Sequence, residues 1–598
     1  MDIYSYIQTQ LENFKLPVPV AERWDWNMFN HIRDSVIYKY GQYLSGKTDD
    51  KPNKNIILPI LRLRYRTEGF DVKDIELYVD EPKSFFKSFF IRKFHDKWAR
   101  ENELDTFIDD SIETDIDVGG VLVKYTKEIK PDIVKWQSVA FCDQTDILSG
   151  PICIRHTYAP DELKDMEKYG WKRVDEVITY SRDYKKDLQK QGKEARTPGK
   201  YVEVYELHGM FPTWWLEEGY ERGEFGEEEK YSRQLHICTF YTGQDNRKHG
   251  ITLFKGEEPE SPFRLRTDPI YGRGLGYGGV EELIEDQVWV NYNIIREQGL
   301  LDQASKIIYQ TADAAFTNRN KTSTLENGEI LIYEEGKPIS QVNNIPTNIN
   351  IFNRAISDWE THARLTGGAT ESLVGESPSA GTPFKLQELV TKTSLGLHTY
   401  RMGKFAIFIE KIYREKIIPA LTKEITKGKE WLSELSLEDM QYLSDALVEC
   451  KTQRMIKERI LNGKVIRPEE TDSFKQMERE SFRKGGNKRF LKILKDEMRG
   501  APVDVKINIK GKQKDLVGMV DKTVNVFRTI FANPQGFIET MKIPAMAKAF
   551  NDIIEFSGLS PMDFSSLISA VVPPQQNPQS PASATAPLEK VAQPQPTY

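Results

Sequence analysis

The chain has 598 residues, of which 39% are hydrophobic and 11% aromatic, and its formal net charge at pH 7 is −7. A chain of this length exceeds what one hydrophobic core serves, so several domains or one elongated multi-domain subunit are expected. The mildly acidic balance excludes a protein that coats nucleic acid through bulk positive charge, because such binding needs a basic surface that displaces counterions. This net charge does not exclude a protein along one surface of which DNA passes.

The cysteine content and the start of the chain bear on the compartment. Cys142, Cys153, Cys238 and Cys450 are too few for a disulfide framework in a chain this long. With no recognisable signal peptide, synthesis in a reducing cytoplasm is expected. His236 and Cys238 have no second pair at a zinc-like spacing, so neither a metal nor another cofactor is expected. No apolar run approaches the ~18 residues that span a bilayer, which predicts no membrane contact.

The first part of the chain, residues 1–276, predicts N-terminal helices followed by a mixed region. Residues 1–45 are mainly helical in pattern. Residues 83–115 repeat apolar side chains at three- and four-residue spacings, which indicates helix. Gly119 and Gly120 then precede the strand-like stretch VLVKY.

Strand patterns dominate between residues 118 and 262. The stretches IVKWQSVAF and ICIRHTY predict a strand pair, and residues 200–211 alternate as a strand does. LHICTFYTG and GITLFKG predict a hairpin, whereas residues 160–192 predict a charged helix. A mixed α/β block is therefore expected here.

From residue 277 the pattern changes to long helices around a short irregular region. Apolar residues recur at a helical period through 277–307, and Glu281 and Glu282 fill the first turn, where the helix dipole favours them. Residues 308–347 lose this period, and GEILIYEEGKPISQV within them predicts a small β unit. Helical spacing returns at 348–365.

The stretch TGGATESLVGESPSAGT, residues 366–382, is the most unusual part of the chain. It is small and polar, contains four glycines and shows no periodicity. Loops of this length between helices are uncommon and are usually functional or disordered. Thr382 and Pro383 suit the cap and the first position of a helix across 383–420. Such a helix spans roughly 50 Å and needs neighbours along its length.

The last part of the chain is less distinctive. Residues 421–570 predict further helices and one lone strand at 503–511, with a basic run that could contact phosphates or a neighbouring subunit. The residues of this run that we single out are Arg483, Lys484, Lys488 and Arg489. Residues 571–598 carry seven prolines and almost no charge. They cannot bury enough apolar surface to fold, which predicts a disordered tail.

A phosphate-loop motif near the start suggests a P-loop ATPase. Gly41, Gly46, Lys47 and Thr48 fit G-x-x-x-x-G-K-[ST], and the later stretch LYVDE resembles the apolar run that ends in a magnesium-binding acid. The residues after the motif are DDKPNKN, and Pro52 would strain the helix that must begin there. A helix that ends near Gly41 or Gly46, followed by a solvated loop, is the favoured interpretation, with the ATPase kept as an alternative.

Other catalytic and cofactor motifs are weaker still. Gly274, Gly276 and Gly279 satisfy G-x-G-x-x-G, but Asp268 and Pro269 before them spoil a central strand. A flexible hinge that leads into a long helix is expected instead. No G-x-S-x-G elbow, H-E-x-x-H pair or Cys/His nucleophile arrangement occurs in the sequence, so no catalytic residue is assigned and no enzyme is expected.

The order of these parts resembles the portal proteins of tailed double-stranded DNA bacteriophages, most closely those of short-tailed phages. The resemblance extends over residues 25–420 and is carried by three stretches: LDTFIDDSIETDIDVGGVLVKYT, VKWQSVAFCDQTDILSGPICIRHTY and YGRGLGYGGVEELIEDQVWVNYNIIREQGLLDQA. It implies an α+β, mainly helical portal fold. The implied regions are N-terminal helices and wing (1–276), first stem helix (277–307), clip (308–347), second stem helix (348–365), tunnel loop (366–382), long wing helix (383–420), and distal wing with helical crown (421–570).

The resemblance also implies a function and partners. Portal subunits, twelve to a ring, sit at one capsid vertex of the virion, where double-stranded DNA is packaged by terminase and later ejected. The ring contacts the major capsid protein and tail or adaptor proteins. The residues implied to form the tunnel loop of the DNA channel are Gly367, Gly368, Thr370, Ser372, Gly375, Ser377, Ser379 and Gly381. The clip residues implied to contact terminase or adaptor are Arg319, Asn320 and Lys321. A virion scaffold or adaptor protein without a channel is a further alternative.

Overall fold

The structure of the protein is a computed structural model. It describes residues 2–41, 54–79, 85–180, 201–217, 230–242, 248–305, 308–320, 331–338, 340–342, 349–374, 384–425, 437–463, 467, 469–481, 503–507 and 528. The chain divides into two compact units, Met1–Lys512 and Gln513–Tyr598, and the second is described at Arg528 alone. The predicted tail at 571–598 lies outside the described residues. So does the basic run that contains Arg483, Lys484, Lys488 and Arg489.

Helices make up most of the described chain. They are α1 (Ile3–Asn13), α2 (Met28–Lys39), α3 (Ile57–Glu68), α4 (Phe85–Glu101), α5 (Leu104–Val118), α6 (Pro160–Met166), α7 (Gly279–Ala304), α8 (Phe316–Arg319), α9 (Ile349–Thr366), α10 (Glu371–Val374), α11 (Phe384–Ile412), α12 (Ile418–Ile425) and α13 (Leu437–Leu461). The segments 174–180 and 469–481 are also helical. No helix in these described ranges is both long enough and apolar enough to cross a membrane.

The strands form small antiparallel sheets, which confirms the α+β class. They are β1 (Val18–Ala21), β2 (Trp24–Trp26), β3 (Ile75–Val79), β4 (Gly120–Lys124), β5 (Asp132–Val134), β6 (Val139–Phe141), β7 (Ile152–Tyr158), β8 (Val202–Pro212), β9 (Tyr231–Thr242), β10 (Lys248–Glu257), β11 (Phe263–Thr267), β12 (Ile308–Gln310), β13 (Ser340–Val342) and β14 (Val503–Ile507). A five-stranded sheet has the order β10-β9-β8-β7-β6, and a three-stranded sheet has the order β11-β4-β5. The pairs β1-β2, β12-β13 and β14-β3 are two-stranded.

The N-terminal helices are confirmed as α1 and α2, but a β1-β2 hairpin between them was not predicted. Val18 pairs with Trp26, and Arg23 takes a positive φ of 65° in the connecting turn. The side chain of Trp26 is buried. An aromatic side chain that packs on the core therefore overrides the helical pattern of the surrounding residues.

The predictions for the mixed region hold except in two places. The helical pattern at 83–115 is confirmed as α4 and α5, and the β8, β9 and β10 strands are confirmed. The single charged helix predicted at 160–192 is wrong, because Gly170 adopts a φ of 92° and the amide of Lys172 donates to the carbonyl of Leu253 on β10. The predicted strand IVKWQSVAF is divided into β5 and β6 by a turn, which buries Trp136.

Two strands far apart in sequence pair with each other. The strand β14 was predicted as a lone strand, and it runs antiparallel to β3 with Val505 opposite Leu77. Nearby, Arg414 donates to Asp504 at 2.7 Å from a π-helical turn, Tyr413–Ile417, that continues α11. The long helix predicted across 383–420 is thus confirmed, and it continues through α12 to Ile425.

A hydrophobic core joins α3, α5, α7 and α11. Leu61, Ile112, Leu283, Phe405 and Ile412 are buried in it, one or two from each helix. Full burial of such a side chain contributes about 1.5–3 kcal/mol. This core therefore fixes the first turns of α7 and the middle of α11 against α3 and α5.

Candidate functional site

Helices α7 and α9 form an antiparallel pair, which we call the stem pair. Asp286 on α7 accepts a hydrogen bond from Nδ1 of His362 on α9 at 2.7 Å. The Trp289 and Trp359 rings stack, with centroids 6.1 Å apart and planes within 9°. Residue numbers fall on α9 as they rise on α7, so the two helices run in opposite directions.

The stem pair packs against the rest of the unit at one end and extends away from it at the other. Buried residues of α7 lie in its first half, up to Asn291, and no later residue of this helix is buried. Gln287 holds that first half in place, since its side chain accepts from the amide of Ile56 and donates to the carbonyl of Lys54, at 2.8 and 2.7 Å. The second half of α7 therefore projects with most of its surface exposed.

The far end of the stem pair carries a small ordered unit, which we call the tip: residues 308–320, 331–338 and 340–342. Strands β12 and β13 pair with each other in the tip. The β unit predicted for GEILIYEEGKPISQV is confirmed in part, because β13 lies in that stretch and β12 precedes it. The buried Asp313 accepts from the amides of Ala315 and Glu334, each at 3.0 Å, and pairs with Arg319. Its pKa is lowered: burial would raise it, but these amides and Arg319 stabilise the carboxylate.

The side chain of Asn320 makes hydrogen bonds within the tip. Its side chain donates to the carbonyl of Ile332 at 2.7 Å and accepts from the amide of the same residue at 2.9 Å. Arg319 is partly exposed and Lys321 lies outside the described residues. The contact of these three residues with terminase or adaptor stays a prediction.

Asn320→Ala is expected to loosen the tip without unfolding the unit. The change removes both hydrogen bonds to the backbone of Ile332, a residue that is 60% exposed, and each such bond contributes about 0.5–1.5 kcal/mol. Hydrogen exchange should show faster exchange across residues 331–338 and unchanged exchange across 104–118. Exchange in 331–338 equal to that of the parent protein would contradict the role given to Asn320.

The end of α9 and the start of the loop after it form a segment buried at its centre, residues 366–370, which we call the loop root. Gly367 and Gly368 are buried, and Gly368 takes a φ of 72°. A Cβ on Gly367 would overlap the side chain of Ile60 on α3, and one on Gly368 would lie 2.9 Å from Nε2 of His398 on α11. Close packing of the loop against α3 and α11 thus requires glycine at both positions.

The other predicted loop residues are described in part. Thr370 is the last residue of the loop root, and its carbonyl accepts from the amides of Leu373 and Val374 at 2.9 and 3.1 Å. Ser372 lies in the resulting short helix α10, which the absence of periodicity did not predict. Residues Gly375, Ser377, Ser379 and Gly381 lie outside the described residues. That these residues form the tunnel loop of a DNA channel stays a prediction.

Four charged side chains and one histidine meet where the loop root, α3, α7 and α11 come together. We call this set the charged junction; its members are the charged Arg64, Glu68, Glu282 and Arg401 and the imidazole of His398. Oε1 of Glu68 lies 3.1 Å from Nε of Arg64 and 2.9 Å from Nδ1 of His398. Glu282 lies 3.1 Å from Arg64 and 3.3 Å from Arg401. None of the five was predicted as a site residue from the sequence. The signal that could have indicated the site is the spacing of Arg64 and Glu68, which lie four residues apart on an otherwise apolar helix face.

The electrostatics of the charged junction favour ionised Glu68. Burial alone would raise the pKa of this carboxyl, but the hydrogen bond from His398 and the guanidinium groups of Arg64 and Arg401 hold it below its ordinary value. An ion pair that is buried and hydrogen-bonded on both sides is strongly destabilised by removal of one partner. The junction therefore ties the loop root to three helices.

A cavity of about 200 Å³ opens beside the charged junction. Asp115 and Arg266 line it with charged atoms 3.7 Å apart, and Arg266 also pairs with Asp268 at 3.2 Å. Enclosure by protein raises the pKa of Asp115 to about 7, although Arg266 opposes the rise. The charged lining residues pair with one another, and none of them is a nucleophile beside a base.

The phosphate-loop motif does not have the context that its chemistry needs. Helix α2 precedes it where a strand is required, and the amide of Gly41, with a φ of 68°, donates to the carbonyl of Tyr38 at 3.3 Å. Gly46, Lys47 and Thr48 lie outside the described residues. The first three residues of LYVDE, 77–79, belong to β3, which pairs with β14, whereas Asp80 and Glu81 lie outside the described residues.

The second glycine motif is a close-packed corner, and the flexible hinge expected there is wrong. Gly274, Gly276 and Gly279 are buried. The amide of Gly276 donates to the carbonyl of Gly119 at 3.0 Å, and a Cβ on Gly276 would lie 2.7 Å from the carbonyl oxygen of Asp268. The glycines let three backbone segments touch, which fixes the start of α7.

His236 and Cys238, the pair considered as metal ligands in the sequence, both lie on β9. No group of three or more His, Cys, Asp or Glu residues in the described parts of the chain is arranged to hold a metal ion. His236 donates to Gln234 at 2.8 Å, and burial lowers its pKa to about 4. Burial also raises the pKa of the Cys238 thiol to about 12. Both side chains are core residues of the five-stranded sheet.

Comparison with known proteins gives likeness to solved structures but no match by sequence family. No family model and no curated protein matches the chain. Among solved structures, the virion of a native gene transfer agent particle contains a chain that is 10% identical, with 93% of this chain and 99% of that chain covered and a TM-score of 0.31. A TM-score of this size does not establish a shared fold.

Proposed function

We propose that the chain is a virion protein of the portal type, which forms a ring with a central channel for double-stranded DNA. The observation that carries the proposal is the stem pair, which projects from the unit, ends in a separate tip and is joined at its base to a loop and a 29-residue helix, α11. This succession matches the portal order of stem, clip, stem, tunnel loop and long wing helix. The chain itself is proposed to have no catalytic role and to need no cofactor.

Exposed apolar side chains support assembly with further copies of the chain. Large apolar residues on α7 and α11 are exposed in the single subunit; they are Val288, Trp289, Tyr292, Leu301, Leu386, Val390, Leu397, Tyr400 and Ile407. Apolar surface that recurs along two long helices indicates a protein interface. Neighbouring subunits of a ring, twelve by the resemblance, would cover it.

The charge of α7 suits a channel through which DNA slides. Six acidic residues and one basic residue, Arg296, lie on this helix. Acidic side chains repel phosphates and bind few of them, so DNA would not be held in place by counterion release. In this proposal terminase contacts the tip during packaging, tail or adaptor proteins contact it later, and the major capsid protein surrounds the ring.

The test is the state of assembly of the purified protein, with Ile407→Glu as the interface variant. Negative-stain images should show rings with a central channel wide enough for a DNA duplex. Ile407 is 67% exposed, and a carboxylate buried there at every interface should raise the concentration needed for ring formation about tenfold or more. Mass photometry over a dilution series measures this shift.

The matched control is Ile460→Glu on α13, where the side chain is 62% exposed. It should assemble as the parent protein does, because α13 carries no part of the proposed interface. Monomers or small closed oligomers under all assembly conditions would contradict the ring and favour a scaffold or adaptor without a channel. Equal effects of the two variants would contradict the interface on α11.

A further inference from the structure

His398 on α11 lies between two hydrogen-bond acceptors that belong to different elements. It is fully buried, at 0% exposure. Its Nδ1 lies 2.9 Å from Oε1 of Glu68 on α3, and its Nε2 lies 3.0 Å from the carbonyl oxygen of Gly368 in the loop root. The imidazole ring thus links the loop root to α3 through hydrogen bonds.

The chemistry of the two partners fixes the protonation of the ring. A backbone carbonyl has no hydrogen to donate. Glu68 is ionised, as its lowered pKa indicates, and a carboxylate also only accepts. Both ring nitrogens must therefore donate, so His398 carries two protons and a positive charge in this arrangement. The other charged groups around this hydrogen bond are Arg64 on α3 and Arg401 on α11, which pair with Glu68, and Glu282 on α7, which pairs with Arg401.

We propose that His398 is a proton-dependent latch that holds the loop root against α3 and opens when the ring loses one proton. The proton toward Glu68 is kept, because a hydrogen bond to a carboxylate is stronger than one to a neutral carbonyl. Nε2 then faces the Gly368 carbonyl as a second acceptor, and the two repel each other. The latch acts within one subunit, so it can be tested whether or not the ring exists.

Opening would act on the loop root first. The Gly368 carbonyl is buried, and a buried acceptor without a donor is unfavourable until it reaches water. The amide of Ala369 donates to the carbonyl of Arg364 at 2.7 Å, which ties the last turn of α9 to the segment that moves. Residues 366–374 should therefore gain solvent exposure as one segment when the pH rises.

Hydrogen exchange on the full-length protein tests the latch. Protection of the amides in 366–374, corrected for the intrinsic pH dependence of exchange, should fall about tenfold or more between about pH 6 and about pH 9, since a hydrogen bond to a charged group is lost. Peptides from 402–412 serve as the internal reference and should not change. In His398→Gln, protection of 366–374 should be low at both pH values.

Two further variants separate the latch from other titrating groups. Asp115 lines the neighbouring cavity and titrates near neutral pH, so Asp115→Asn should keep the pH dependence of 366–374. His362→Gln removes a partly exposed histidine on α9 and should also keep it. Protection of 366–374 that is independent of pH in the parent protein would overturn the latch, even if His398→Gln fails to fold. A pH dependence that persists in folded His398→Gln, or disappears in Asp115→Asn, would do the same.

Discussion

Gly119→Ala is expected to lower the free energy of unfolding by about 3 kcal/mol or more. Gly119 ends α5 with a φ of 85°, a conformation that residues with a Cβ avoid. An added Cβ would also lie 2.6 Å from the carbonyl carbon of Gly276, and backbone atoms cannot rotate out of the way. Strain and overlap would act together at the corner that fixes the start of α7. Thermal unfolding of the purified protein measures the loss.

The matched control is Gly299→Ala in the projecting half of α7. A Cβ at this position meets no heavy atom within 4 Å among the described residues. Alanine stabilises a helix interior by roughly 0.5–1 kcal/mol relative to glycine, so this variant should be as stable as the parent protein or more so. Similar unfolding temperatures for the two variants would show that the Gly119 corner is not close-packed in solution.

The long helices could be predicted because their signal is local. The helical period across 277–307 and 383–420 identified α7 and α11, and the loss of this period between them identified the tip. Apolar residues three and four positions apart face one side of a helix whatever its neighbours are. The hairpin β9-β10 was predicted for the same reason, since alternation within each strand is enough.

Contacts between distant residues could not be predicted in this way. The strands β3 and β14 pair although more than four hundred residues separate them. The sequence pattern of each strand does not indicate which other strand it pairs with. Members of the charged junction, such as Glu68 and His398, lie on different helices that only the tertiary fold brings together. A charged residue in a helical pattern is ordinarily solvated, so its burial is not visible in the sequence.

Glycine is ambiguous for a related reason. The absence of a Cβ permits both a mobile loop and the closest packing of backbone, and sequence alone does not distinguish them. Gly274 and Gly276 were expected in a hinge, and they lie in a buried corner. Gly367 and Gly368 were assigned to a loop around DNA, and they pack at its root against α3 and α11.

Arg273→Ala is expected to lower the free energy of unfolding by about 3–5 kcal/mol. Arg273 is 5% exposed and makes two hydrogen bonds of 2.9 Å to the carboxylate of Glu281 in the first turn of α7. Its guanidinium also lies 3.7 Å from the ring centroid of Trp26 and 5.0 Å from that of Tyr277. The variant leaves a largely buried carboxylate without its main partner and removes the contact between the N-terminal hairpin and the root of the stem pair. Thermal unfolding at neutral pH measures the effect.

The pH dependence of the same variant gives a second, independent readout. His31 lies 3.6 Å from Glu281, and its pKa is lowered by burial and further by Arg273, while Glu281 opposes the shift. Without Arg273 the pKa of His31 should rise, so protonated His31 can pair with Glu281 and part of the lost stability should return as the pH falls from about 8 to about 5.5. The control is Arg354→Ala, because Arg354 and Asp358 form an ion pair with 86% and 75% exposed side chains, which contributes about 0–1 kcal/mol. Two results would contradict the role assigned to Arg273. One is a loss of unfolding free energy in Arg273→Ala no larger than in this control, and the other is a loss that increases as the pH falls.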